Sequence, residues 1–146
     1  GLDLDTRYYV LPERLFVRAK GSMIWANERK TGRYFPYIPA LRLSEEVGTR
    51  IPEILGGSAE LSLGHQFVDR QRRFDPATDL TDSPAGYHLF GLEASYTRPL
   101  GGRQSLRLTL SADNLLNTQY KEYTNRARYY SHDVGRDIRF SLHYKF

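Results

Sequence analysis

Cysteine is absent from the 146-residue chain, which excludes a disulfide scaffold and any thiolate-ligated metal centre. No stretch approaches the roughly 20 consecutive apolar residues that a membrane-spanning helix needs. A helical membrane protein is therefore excluded, and what remains is a β-barrel or a soluble β-protein. The chain starts at Gly1 with no charged segment leading into an apolar one, so a secretory leader is expected to have been removed or to belong to sequence upstream. Catalytic signatures are missing too: there is no Gly-x-Ser-x-Gly elbow, no His-Glu-x-x-His pair and no Gly-x-x-x-x-Gly-Lys phosphate loop. Neither an enzyme nor a bound cofactor is expected. The four histidines, His65, His88, His132 and His143, are too dispersed for a metal-ligand motif, so no metal site is expected. His132, beside Asp133, is the best placed of them.

What is present is an unusual mixture. Hydrophobic residues make up 40% of the chain and aromatics 13%, including 11 tyrosines, while the mean hydropathy is only −0.58. Disorder would leave few aromatics. A barrel wall with apolar and polar positions alternating, and aromatic girdles at its two rims, gives this mixture without a long apolar run. The length suits one domain. The net charge of +4 comes from 21 Lys and Arg spread beside 17 acids, not from one basic element, so no nucleic-acid partner is expected. The local run Arg70-Gln71-Arg72-Arg73 reads as a solvated strand end.

Period two dominates the chain. From Asp137 to Phe146 every even position is apolar or aromatic and every odd one polar. The segment Ser105–Asp113 repeats the pattern, with Leu106, Leu108, Leu110 and Ala112 opposite Arg107, Thr109, Ser111 and Asp113. Less regular alternation predicts strands over residues 2–8, 15–25, 59–67 and 87–98. Leu41, Leu43 and Val47 suggest a further strand, spoiled by the adjacent Glu45 and Glu46. The fold class expected is all-β: an antiparallel transmembrane β-barrel segment of about seven strands spanning residues 1–146.

The connections alternate in length. Short turn signals fall at Tyr9–Arg14, Arg50–Gly57 and Pro99–Gly102, and longer polar loops at Arg29–Pro39, Phe74–Gly86 and Asn117–Gly135. Outer-membrane barrels have short periplasmic turns and longer external loops, so the three long loops are expected outside and Phe146 in the periplasm. Trp25, Phe67, Tyr87 and Tyr120 would then form an outer aromatic girdle, and Tyr8, Tyr96, Tyr144 and Phe146 an inner one.

Four motifs resemble a known family, the TonB-dependent outer-membrane receptors, and they follow the family's order along most of the chain. Tyr37-Ile38-Pro39 with Leu41-Arg42-Leu43 is similar to the family's return from an external loop. Gly86-Tyr87-His88-Leu89 resembles its tyrosine-marked re-entry before a strand ending in Ser95-Tyr96. Asp113-Asn114-Leu115-Leu116-Asn117-Thr118-Gln119-Tyr120 is similar to the family's Asn-Leu-Phe-Asn-x-x-Tyr signature, with Leu116 in place of the usual Phe. Tyr129-Tyr130 and Gly135-Arg136 then lead into a strand that closes on Phe146.

The resemblance implies uptake of a scarce nutrient across the outer membrane, energised by TonB. It also implies a barrel of about 22 strands with a plugged lumen, of which these residues would be the carboxyl-terminal part. The plug domain and the TonB box are not visible in them. Phe140, Tyr144 and Phe146 would form the signal read by barrel-assembly machinery. Partners would be outer-membrane lipid, the remaining barrel and its plug, TonB, and a small-molecule or metal-chelate ligand.

If the apolar sets face lipid, the alternating charges Arg18, Lys20, Arg42, Glu60, Glu93, Arg107, Asp113, Asp137, Arg139 and Lys145 face the lumen. There they would pair across strands or contact a plug. In the loops Arg29, Lys30, Arg33, Tyr34, Tyr123, Arg126, Arg128 and Tyr129 combine cations with aromatics. That mixture suits an anionic, aromatic ligand such as a ferric siderophore or haem; loops solvated beside anionic lipopolysaccharide would carry the same residues. Two other architectures fit the composition: a small closed outer-membrane barrel of structural or adhesive function, and a soluble lipocalin-like barrel whose apolar faces point inward.

Overall fold

Alternating segments of this kind can satisfy their backbone groups only by pairing. In the computed structural model, which describes all residues from Gly1 to Phe146, they do so as neighbours in chain order. The strands are β1 (Leu2–Leu11), β2 (Leu15–Met23), β3 (Arg42–Ile54), β4 (Gly57–Val68), β5 (Tyr87–Gly101), β6 (Gln104–Asp113) and β7 (Asp137–Lys145). Together they form one seven-stranded antiparallel sheet. β1 and β7 do not pair with each other, so the sheet has two free edges and is not a closed small barrel. The tight turns lie at one rim and the long connections at the other.

Strand β3 is the largest departure from the sequence expectation. It runs for 13 residues, through Glu45 and Glu46 and into the segment expected to be a turn. Pro52 fits because the register with β4 slips between Ile51 and Ile54, and an irregularity is where a strand tolerates a proline. The connection itself shrinks to Leu55-Gly56, both with positive φ (50° and 75°), as a two-residue hairpin loop of this hand requires.

Register assigns the faces. Val17 lies opposite Val47, Val47 opposite Leu63 and Leu63 opposite Leu92, followed by Leu92 opposite Ala112 and Ala112 opposite Ile138. One face is thus apolar from β2 to β7 and stays uncovered, with Leu43, Val47, Leu61, Leu63, Leu110, Phe140 and Leu142 exposed. The other face carries every charge expected there, from Arg18 and Lys20 to Arg139 and Lys145, and lines two troughs of about 740 and 750 Å³. The polar face is therefore the concave one. This is the reverse of a lipocalin, whose apolar side chains fill the concavity. Only 11 of 146 residues are buried, because a single sheet has no second layer to cover it.

The girdles come out in part as expected. Tyr96 sits on the apolar face near the tight-turn rim, donating a hydrogen bond to the Leu55 carbonyl at 2.9 Å, and Tyr8 and Tyr144 share that face. Tyr87 and Tyr120 do not belong to a lipid-facing girdle. Tyr87 shares the concave face with Leu89, and its ring packs on Tyr120 at 4.4 Å. With Ala40 and Val68 it forms the small buried cluster beneath the long loops. The cause is a polar anchor, since the Tyr87 hydroxyl donates to Glu122 at 2.6 Å.

Candidate functional site

The concave face and the loops at its rim meet in one trough, where the wall residues Arg18, Glu93 and Arg139 stand beside Asn114, Tyr120 and Gly135. Along the wall, charges are neutralised across strands. Arg18 donates two hydrogen bonds to Asp5 at 2.9 and 2.6 Å, Arg50 and Arg107 both approach Glu60 at 3.6 Å, and Arg139 pairs with Asp113 and Asp137. Strands hold such pairs because directly opposite neighbours, as Arg50 and Glu60 are, and diagonal ones, as Arg18 and Asp5 are, lie within reach of long side chains on one face. Phe16 places an aromatic ring on this face near the tight-turn rim: it lies over Gly48, where a Cβ would collide with it, and Arg7 stacks on it at 4.4 Å.

At the loop rim, the motif 113–120 has a local physical role. Asn114 turns the chain out of β6 with φ 49°, a conformation that Asn accepts more readily than most residues. Its side chain accepts from the Thr118 amide at 2.8 Å and donates to the Thr118 carbonyl at 2.9 Å. Asn117, at φ 54°, accepts from the Arg136 amide at 2.9 Å, so the loop's exit and return are pinned together. A Cβ at Gly135 would come within 2.7 Å of the Asn117 side-chain oxygen, which explains the small residue there.

The long loops are then tied to one another. Glu122 receives Arg42 at 2.6 Å as well as the Tyr87 hydroxyl, and Asp133 accepts from the Glu122 amide and the Asn125 side chain, each at 2.7 Å. Deepest is Arg128, whose side chain is 1% exposed and paired with Asp79, itself 6% exposed, at 2.5 Å. Its guanidinium lies over Tyr123 at 4.8 Å and over Tyr129 at 4.4 Å. Tyr129 also donates to Asp79 at 2.6 Å and meets Tyr37 at 3.2 Å. Burial alone would push the Asp79 carboxyl up; the hydrogen bonds from Tyr129 and Arg128 outweigh it and hold the group below its ordinary value. The same Asp79 contact, with that to Tyr37, pushes the Tyr129 phenol up, and burial pushes up that of Tyr123.

Of the loop residues singled out from sequence, the structure thus separates two groups. Tyr123 and Arg128 are buried in the joint between loops, with Tyr129 half-buried beside them. Arg29, Lys30, Arg33, Tyr34 and Arg126 are exposed. The first four sit on a small projecting hairpin, where Asn27 bridges Tyr34 and the Glu28 amide donates to the Arg33 carbonyl at 2.7 Å. Arg126 lies over Tyr37 at 5.0 Å. His132 and His143 stand apart, but His65 and His88, 23 residues apart in sequence, are brought within 2.9 Å.

No family model matches the sequence, and no curated relative does. A solved structure is similar over 96% of this chain, with a TM-score of 0.74 and 21% identity. It is the copper transporter OprC. At that identity the likeness shows the fold, an antiparallel all-β sheet shared with a stretch of OprC. The chain spans 22% of the length of OprC.

Proposed function

We propose that these strands are a carboxyl-terminal part of the wall of a TonB-dependent outer-membrane β-barrel that takes up a scarce nutrient, its exposed loops forming part of the external vestibule. The observation that carries this reading is the pair of faces: an uncovered apolar convex side and a charged concave trough. In water so large an apolar surface would drive association; in a bilayer it is the surface that lipid requires. Free edges at β1 and β7 cannot stand in hydrocarbon, so further strands pair with them and close the barrel. The wall contributes no catalytic step and needs no cofactor. The plug, TonB and the barrel-assembly machinery are its partners, the last through Phe140, Tyr144 and Phe146.

The cargo in this reading is a metal or an anionic metal complex, such as a ferric siderophore or haem. The likeness to a copper transporter supports a metal-containing cargo, and the exposed Arg29, Arg33, Tyr34 and Arg126 offer cations and aromatic faces to an anion. The test is uptake by cells with and without the gene, supplied in turn with labelled copper, a ferric siderophore and haem. Gene-dependent uptake of one of them, abolished by a protonophore and reduced several-fold by the joint substitution R33A/Y34A/R126A, is expected. Equal uptake by both cell types for all three cargoes would overturn the reading.

A further inference from the structure

The apolar face carries one polar constellation that its surroundings do not explain. Glu45, His65 and His88 occupy positions whose neighbours in register, Leu43, Leu63, Phe67 and Phe90, are all apolar. The Glu45 carboxylate lies 2.7 Å from His65 Nδ1, and His65 Nε2 lies 2.9 Å from His88 Nδ1. The two rings are nearly parallel, 11° apart, with centroids at 5.2 Å. Their facing nitrogens make this an edge-to-edge arrangement. Phe90 beside His65 at 4.7 Å and Phe67 beside His88 at 4.8 Å hold the rings in place.

A carboxylate on one ring nitrogen fixes the proton there and leaves the other nitrogen as a lone pair. Glu45 thus places the His65 proton on Nδ1 and turns a basic Nε2 toward His88. At a metal–nitrogen bond of about 2.1 Å, two nitrogens adjacent on one ion stand roughly 3.0–3.4 Å apart. The two nitrogens now face each other head-on across 2.9 Å, so the pair becomes a chelate when the gap opens by a few tenths of an ångström, both rings turn until their lone pairs converge on one ion, and the His88 proton sits on Nε2. No third His, Cys, Asp or Glu stands close enough to complete a closed ligand set. The other positions of an ion would fall to water, which is available because His88 is the second residue of β5 and His65 lies three residues before the end of β4.

We propose that His65 and His88, oriented by Glu45, form an open two-imidazole site for a divalent transition metal on the outward face of the wall. Imidazole nitrogens with open positions suit Cu²⁺ or Ni²⁺ in tetragonal coordination best, and Zn²⁺ next. The site stands outside the lumen and does not depend on what the barrel transports.

The experiment titrates Cu²⁺ into the full-length protein in detergent, read by calorimetry and by low-temperature electron paramagnetic resonance. One ion per chain with the splitting of two imidazole nitrogens is expected. His65→Leu and His88→Leu should each abolish the two-nitrogen signal, and Glu45→Leu should weaken binding about 10- to 100-fold. Leucine matches the neighbouring side chains, so each variant should retain its heat-resistant barrel mobility on gels, which is checked alongside. H132A/H143A should leave the signal unchanged. A two-nitrogen signal that survives H65L/H88L, or no such signal in the parent protein, would overturn the proposal. The latter would leave the trio as a hydrogen-bonded group only, and neither result bears on uptake through the lumen.

Discussion

At the scale of single residues, the loop rim depends on a few buried groups of opposite charge that face one another. Arg128 and Asp79 are buried together, and removing one partner of such a pair leaves an uncompensated charge at a cost of about 3–5 kcal/mol. Asp79→Ala is therefore expected to loosen the joint between residues 74–86 and 117–135 while the strands stay paired. Limited proteolysis would show it as rapid cleavage confined to those loops. The pH dependence follows from the depressed Asp79 carboxyl: its contribution is complete above the ordinary value of 3.8 and is lost as pH falls through the lower folded value. Wild-type loops should thus become susceptible only in strong acid, whereas those of the variant are susceptible at neutral pH. Little of this was legible in the sequence. Arg128 and Tyr123 read as ligand contacts because a cation among tyrosines serves a ligand or a loop joint equally well, and Asp79 lies 49 residues away. His65 was legible by parity, two positions from Leu63 and from Phe67, but its meeting with His88 needs the β4–β5 register.

Elements were more legible than sites, because period-two alternation is a local signal. β6 and β7 follow it cleanly and come out within a residue of the expected bounds. β3 was obscured twice. Glu45 breaks the apolar parity because it answers His65 across the strand pair, not lipid, and Pro52 mimics a turn while occupying an irregularity. The true turn hides a strained residue: Leu55, 84% exposed, sits at φ 50°, where a branched apolar side chain has no conformational reason to be. Asn-Gly is the favoured pair for such a loop. Leu55→Asn should therefore stabilise the β3–β4 hairpin by about 1 kcal/mol, seen as a higher urea midpoint for unfolding from detergent. An unchanged or lower midpoint would mean that Leu55 is held by contacts with lipid or a neighbouring chain.

At the scale of the whole molecule, the proposed membrane wall rests on which face meets lipid. Composition already indicated a wall in place of a core, since 40% hydrophobic residues with 11 tyrosines cannot fill a sandwich yet suffice to coat one side of a sheet. The curvature was not legible, because alternation fixes two faces without saying which is concave. The troughs settle that by lying on the charged side. The most direct test uses cysteines, of which these strands have none of their own. Single cysteines introduced in turn from Ala59 to Phe67, spin-labelled in the native protein reconstituted into bilayers, report access to oxygen from lipid and to a nickel chelate from water. Positions 59, 61, 63 and 67 should be oxygen-accessible, and positions 60, 62, 64 and 66 should be reached by the nickel chelate or shielded by a plug. Loss of the two-residue alternation, or water access at Leu61 and Leu63, would contradict the membrane-wall account.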